Sequence, residues 1–119
     1  MPRRDVRMYL IDILAACDAA AAAVSSCTEE QSRTTRLIRA AVERELSIIG
    51  EAVNQMLKQE PALASRITDP RGIIHVRNLV IHAYDLVDPA IIRNIVIDDV
   101  PTLRAEVAAL LAERATGRS

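Results

Sequence analysis

The sequence predicts an all-α domain, a bundle of four to five helices. Apolar residues recur at three- and four-residue steps over long stretches, the spacing of one helix face. Only 3 glycines and 5 prolines occur in 119 residues, too few for a many-stranded protein that turns often. Tyr9 and Tyr84 are the only aromatic residues, so the core must be aliphatic, built from Ala, Leu, Ile and Val. This length specifies one domain over residues 1–119, large enough to bury a core without staples.

The first helix should run from about Arg4 to Val24. Val6, Leu10, Ile13, Cys17, Ala20 and Val24 fall on one face, and the alanines from Ala19 to Ala23 favour helix and permit close approach by a neighbour. Ser25 and Ser26 end it. Thr28-Glu29-Glu30-Gln31 has the form of a capping box, with Thr28 as N-cap and Gln31 three residues on. It opens either the second helix directly or a short turn before it. That helix has a main stripe of Ile38, Val42, Leu46, Ile49, Val53 and Met56 and a flanking stripe of Leu37, Ala41, Ile48 and Ala52. So wide an apolar face needs partners on two sides, which places this helix centrally. Glu45 falls inside the apolar arc and faces either water, a dimer cleft or an arginine.

Pro61 and Pro70 bracket a short segment with Leu63 and Ile67. Asp69 and Pro70 give a cap and a first-turn proline for a third helix, bearing Ile73, Ile74, Val76, Leu79, Val80 and Ile81 and ending near Tyr84. Asp88-Pro89 repeats the signal. The last helical region extends from Pro89 to about Arg114, with a break or kink at Pro101 and Asp98-Asp99 as caps of a new start. Residues from about 115 should fray.

The net charge is −1, which argues against a nonspecific nucleic-acid coat but not against a local basic cleft. Lys58 is the only lysine among 15 basic residues. Arginine is the better phosphate clamp because its planar fork donates two parallel hydrogen bonds; an arginine-rich genome gives the same bias. Cys17 and Cys27 have no metal-ligand spacing. Cys17 fits the apolar stripe, and a disulfide is not expected because both flank one helix end. The sequence shows no signal peptide, polybasic anchor or apolar stretch of transmembrane length, so the expected compartment is the cytoplasm, with no membrane partner.

Function rests on Arg77-Asn78-Leu79-Val80-Ile81-His82-Ala83-Tyr84, which sets a permanent cation, an amide, an imidazole and a phenol into an apolar stretch. Asn78 and His82, four apart, share a helix face. Arg77 and Tyr84, seven apart, share another. Arg77 and His82 lie roughly 140° apart around a regular helix, so one helix does not aim both at one phosphate. Either the helix ends at His82 or a second chain completes the site. Cleavage of RNA without a metal uses the 2′-hydroxyl as nucleophile and needs a general base, a general acid and a cation for charge on phosphorus. A histidine titrates near working pH and suits one proton transfer; its copy in a partner chain would suit the other. Arg77 would clamp the phosphate, and Asn78 would orient His82 or the substrate. DNA lacks the internal nucleophile and is not an expected substrate. Structural roles remain open as alternatives: an ion pair of Arg77 with Glu45, Glu51 or Asp85, a capping His82, and Tyr84 at the core edge. His75 lies seven before His82, but no carboxylate or cysteine spacing completes a metal site, and no cofactor is expected.

The Arg77-x4-His82-x-Tyr84 pattern resembles that of the HEPN superfamily, and within it the HepT-like ribonuclease toxins. Ile48-Ile49-Gly50-Glu51-Ala52 is similar to the family's IIGEA run, and Asp88-Pro89 through Asp98-Asp99-Val100-Pro101 to its final segment, so the resemblance covers nearly the whole chain. Pro70, Ser47 and Ala83 stand where relatives often have Trp, an acidic residue and Gly. The resemblance implies a HEPN-type bundle, dimeric through the motif-bearing helices, and metal-independent RNA cleavage with Arg77 and His82 as the catalytic pair. It also implies an MNT-type nucleotidyltransferase antitoxin that attaches AMP to Tyr84, adding charge and bulk beside the cleft. Two rivals remain: a non-catalytic helical binding partner of a nucleotidyltransferase, which fits the near-neutral charge, and a helical module that binds nucleotide.

Overall fold

A computed structural model describes residues 4–82 and 87–115. Among these, six α-helices, a 3₁₀ helix and a π turn follow one another without a strand. Helix α1 (Val6–Ser25) begins where Asp5 accepts a hydrogen bond from the Arg7 N–H at 2.9 Å. Its end is closed by Ser25 and Ser26, whose hydroxyls donate to the Ala22 and Ala23 carbonyls at 3.2 and 2.8 Å. The Ser26 N–H also donates to the Ala22 carbonyl at 3.0 Å, so backbone and hydroxyls close this turn together.

The capping box opens a short helix, α2 (Glu29–Thr34): the Thr28 N–H donates to Gln31 Oε1 at 2.9 Å, and the Gln31 N–H donates to Thr28 Oγ1 at 3.1 Å. Extended backbone at Thr35 separates it from α3 (Arg36–Gln59). This break and a π turn explain why six helices appear where four to five were expected: α2 and α5 are single short pieces, and α1, α3, α4 and α6 form the bundle.

Helix α3 is central, packing on α1 and α4 and also touching α2, the 3₁₀ helix and α5. Its main stripe is buried at Val42, Leu46, Ile49, Val53 and Met56, with Ile38 half-buried. The flanking stripe holds only in its second half. Ala52 is buried and Ile48 half-buried, but Ala41 is exposed and Leu37 is 79% exposed, because no described element covers the start of α3 on that side. Glu45 is half-buried and makes no ion pair among the described residues.

Helix α1 departs from expectation in one respect. Over an 18-residue window its mean hydropathy is 1.6, long and apolar enough to cross a membrane. The alanine run raises the hydropathy without adding bulk. In the fold this helix behaves as a core element: Leu10, Ile13, Cys17 and Ala20 are wholly buried against α3 and α6. Burial, then the neighbouring Asp18, pushes the Cys17 thiol up to about 12, and Cys17 and Cys27 are both free.

After α3, a 3₁₀ helix (Pro61–Arg66) leads to α4 (Pro70–His82), where Asp69 Oδ1 accepts from the Gly72 N–H at 3.0 Å. Helix α5 (Pro89–Asn94) is capped by Asp88, which accepts from the Ala90 N–H at 2.8 Å. The chain then continues through a π turn (Ile95–Asp99) into α6 (Val100–Ala115). The expected capped restart at Asp98-Asp99 does not occur. Proline cannot donate to the ladder, and its ring presses on the carbonyl four residues back. The wider π turn relieves this, the Val100 N–H donating to the Ile95 carbonyl, so helical backbone persists through the junction. Residues 116–119, where fraying was expected, lie outside the described residues.

Helix α6 is tied down by charge as well as apolar contact. Arg104 on α6 binds Asp18 on α1 at 2.6 Å, Arg66 pairs with Glu113, and Arg114 pairs with Glu60. The hydrogen-bonding guanidinium partners hold the Asp18 and Glu113 carboxyls below their ordinary range. Glu106 accepts from both the N–H and the hydroxyl of Thr68, at 3.1 and 2.7 Å.

Candidate active site

The motif sits on α4, and the structure explains how Arg77 is held there. A Cβ built on Gly50 would lie 2.2 Å from the Cβ of Arg77, so α3 and α4 touch where a side chain larger than hydrogen has no room. The next residue of α3 meets the head of the same arginine: Glu51 Oε2 lies 3.0 Å from Arg77 Nη2. Gln55, one turn further along α3, donates from Nε2 to Glu51 Oε1 at 2.9 Å and fixes the carboxylate in turn. On the other arm, Arg77 Nη1 donates to Asn78 Oδ1 at 2.9 Å. Arg77 is thus fixed at its Cβ by Gly50 and at its two terminal nitrogens by Glu51 and Asn78. Its Nε is buried and has no hydrogen-bond partner among the described residues.

Of the three ion-pair partners considered for Arg77 from sequence, Glu51 is the one observed. Asn78 bonds the arginine, and no bond between it and His82 occurs among the described residues. His82 is exposed in the last described turn of α4. Arg77, by contrast, is half-buried against α3, with 28% of its side chain accessible. The two therefore differ in environment as well as in direction around the helix. Tyr84 lies outside the described residues, as does Asp85.

Arg77 opens into a cleft of about 350 Å³ between α1, α3 and α4. Three guanidinium groups line it, from Arg4, Arg44 and Arg77, against two carboxylates, from Asp12 and Glu51. The local balance is therefore positive in a chain whose net charge is −1. Sequence reasoning missed most of this wall. A signal was present: Arg44, Ser47, Ile48 and Glu51 follow helical spacing on a face beside the main apolar stripe of α3. A second opening of about 360 Å³ lies between α3, α4, the π turn and α6, with His75 at its edge. Its walls are mainly aliphatic, and none of the described motif residues, Arg77 to His82, lines it. The cations converge instead on the Arg77 cleft.

An all-α bundle with an Arg-x4-His pair on one helix, beside a positively charged cleft, has the architecture of a HEPN-type domain. Residues 13–110 match the model of the family described as Ribonuclease HepT-like, and the chain belongs to that family. It is similar to "Putative RNase MJ1380" of Methanocaldococcus jannaschii, with 31% identity over 111 residues that cover 90% of this chain and 97% of that protein. It is also similar to "Gamma-glutamylcyclotransferase and putative RNase MJ0434" of the same organism, with 27% identity over 111 residues, covering 93% of this chain and 50% of that protein. No solved structure matches the chain.

Proposed function

We propose that this protein is an endoribonuclease that cuts RNA without a metal ion, acting as the toxin of a two-component system. Membership of the HepT-like ribonuclease family supports RNA cleavage. The single observation that supports the chemistry is the fixed guanidinium of Arg77 at the edge of a cationic cleft, five residues before an exposed histidine on the same helix.

In this reading Arg77 binds the non-bridging oxygens of the scissile phosphate and offsets the charge that grows on them. His82 accepts the proton of the 2′-hydroxyl as its oxygen attacks phosphorus. The bond to the 5′-oxygen of the next nucleotide breaks, that oxygen takes up a proton, and the products are a 2′,3′-cyclic phosphate and a 5′-hydroxyl. The active form is a homodimer, in which the phosphate on Arg77 of one protomer meets His82 of the partner subunit, and the protonated imidazole returns that proton to the leaving 5′-oxygen. Two features support dimerisation. Arg77 and His82 diverge around α4, and Leu79 and Ile81 on the same helix are 39% and 44% exposed although apolar. Asn78 serves as a positioning residue for Arg77.

The partner in this reading is an MNT-type nucleotidyltransferase antitoxin that places AMP on Tyr84, two residues beyond His82, in the cytoplasm. Antitoxin-free protein should cut RNA in the presence of EDTA, and Arg77→Ala and His82→Ala should each abolish cutting. Full cleavage by the His82→Ala protein sinks its assignment. Intact mass after co-expression with the antitoxin should increase by AMP units, and Tyr84→Phe should remove the increase.

A further inference from the structure

Among the described residues, the cleft contains one cation without an ion-pair partner. Arg4 is bound to Asp12 at 2.9 Å, and Arg77 to Glu51 at 3.0 Å. Arg44 lines the same cleft, is exposed, and its guanidinium makes no ion pair or hydrogen bond among the described residues. Its helical neighbours explain this. Residues three and four positions away along α3 are Ala40, Ala41, Ser47 and Ile48, none of them acidic. Glu43 and Glu45 flank it in sequence, but adjacent residues do not face each other on a helix. An arginine on a concave, net-positive wall, with no carboxylate of the described residues at pairing distance, retains its capacity for an outside anion.

The wall beside it is aromatic. Tyr9 is one of only two aromatic residues in the chain, and it lines this cleft half-exposed. The Arg4 guanidinium lies over its ring, 4.9 Å from the centroid. A ring and a guanidinium plane are the two surfaces on which unpaired nucleobases stack. Two helical turns, about 10 Å along the axis, separate Arg44 from Glu51, which holds Arg77. A neighbouring phosphate of a strand whose scissile phosphate lies on Arg77 falls within reach of Arg44.

We infer that Arg44, with the Arg4–Tyr9 pair, forms a flanking-nucleotide subsite of the cleft: Arg44 binds a phosphate next to the scissile one, and the Arg4–Tyr9 surface stacks a base. The inference rests on the ribonuclease reading above and adds to it a preference for single-stranded RNA of several nucleotides over a dinucleotide. Arg44 acts on binding and not on bond breaking, so its removal raises KM and leaves the proton transfers to His82.

The test is steady-state cleavage of a single-stranded oligoribonucleotide by the full-length protein, with matched binding measurements on the His82→Ala background. Arg44→Ala should raise KM about tenfold, the loss of one charge-assisted phosphate contact. It should change kcat by less than about twofold and flatten the salt dependence of binding by about 0.7 of a log unit per log unit of salt. Arg44→Lys should recover most of the KM loss, because a point charge still binds phosphate. Tyr9→Leu should weaken RNA binding several-fold, and Tyr9→Phe should not. Unchanged KM and salt slope for Arg44→Ala, in a wild-type protein that cuts RNA, overturn this subsite alone. Absence of RNA cleavage by the wild type overturns the ribonuclease reading and the subsite with it.

Discussion

Gly50 and Arg77 meet so closely that an added Cβ on the glycine would stand 2.2 Å from the Cβ of the arginine. The clash involves an atom fixed to the backbone of α4, not the free end of a side chain, so no rotamer change relieves it. Gly50→Ala gains up to about 1 kcal/mol of helix propensity. Forcing the two helices apart costs about 1–3 kcal/mol. The expected outcome in urea titration is a net loss of about 1 kcal/mol or more, with RNA cleavage reduced further than stability because Arg77 moves with α4. A variant as stable and active as the parent would show that the contact does not position the arginine.

Glu51 presents the complementary case, a residue whose loss should disturb the site more than the fold. Its ion pair with Arg77 is only partly shielded, the two side chains being 44% and 28% accessible. Such a pair contributes at most about 1 kcal/mol. Orientation is a different matter, since small misplacements of a catalytic group cost up to about 100-fold in rate. Glu51→Ala should therefore shift the thermal midpoint little and lower kcat for RNA cleavage roughly 10- to 100-fold. Gln55→Ala, which removes the bond that fixes Glu51, should give a smaller loss in the same direction. Equal losses of stability and activity would assign Glu51 to packing alone.

The helices were legible in the sequence because their signals are local. The capping box at Thr28 and the caps at Asp69 and Asp88 each depend on residues within a few positions, and all form as read. The stripe from Val42 to Met56 identified α3 as central for the same reason. The partner of Arg77 was not legible, because Glu51 lies 26 residues away and competed with equally plausible carboxylates. Nor was the role of Gly50. A glycine inside a helix can mark a close approach, but which helix approaches is a property of packing. The π turn before Pro101 was missed for a subtler reason: proline signals a disturbed ladder, and the backbone can meet that by stopping or by widening. Here continuous packing of Val96, Val100 and Leu103 into the core favours widening.

Acid should expose the charge pairs that tie α6 to the rest of the bundle. The Arg104 guanidinium, through its hydrogen bond first, lowers the Asp18 pKa in the folded state. The folded carboxyl gives up its proton more readily than the unfolded one. The pair therefore stabilises the fold at pH values above the unfolded carboxylate range, and this contribution is lost as pH falls through the lower folded value. Both groups are solvent-exposed, so the effect is modest and falls with added salt. Asp18→Asn should lower the thermal midpoint near neutral pH, and the difference from the parent should shrink toward zero as acid protonates the folded carboxyl below the ordinary carboxylate range. A difference that persists undiminished in acid would mean that Asp18 acts through packing or α1 propensity instead.

The divergence of Arg77 and His82 around α4 makes a prediction about subunit composition. If each phosphate is held by Arg77 of one protomer and meets His82 of the other, Arg77→Ala and His82→Ala homodimers both lack every complete site. A mixed dimer of the two variants restores one: the His82→Ala chain contributes an intact Arg77, and the Arg77→Ala chain contributes an intact His82. With random exchange half of the dimers are mixed, each with one of its two sites complete, so cleavage should return to about a quarter of the wild-type rate in a symmetric dimer. The experiment unfolds and refolds the two inactive proteins together and, as a control, separately, and follows cleavage of a labelled RNA. A site confined to one chain predicts no recovery. A site that needs both histidines at once also predicts none, because the mixed dimer retains only one. Recovery near a quarter therefore selects the shared Arg77–His82 arrangement over both, and its absence together with a confirmed mixed dimer by mass overturns it.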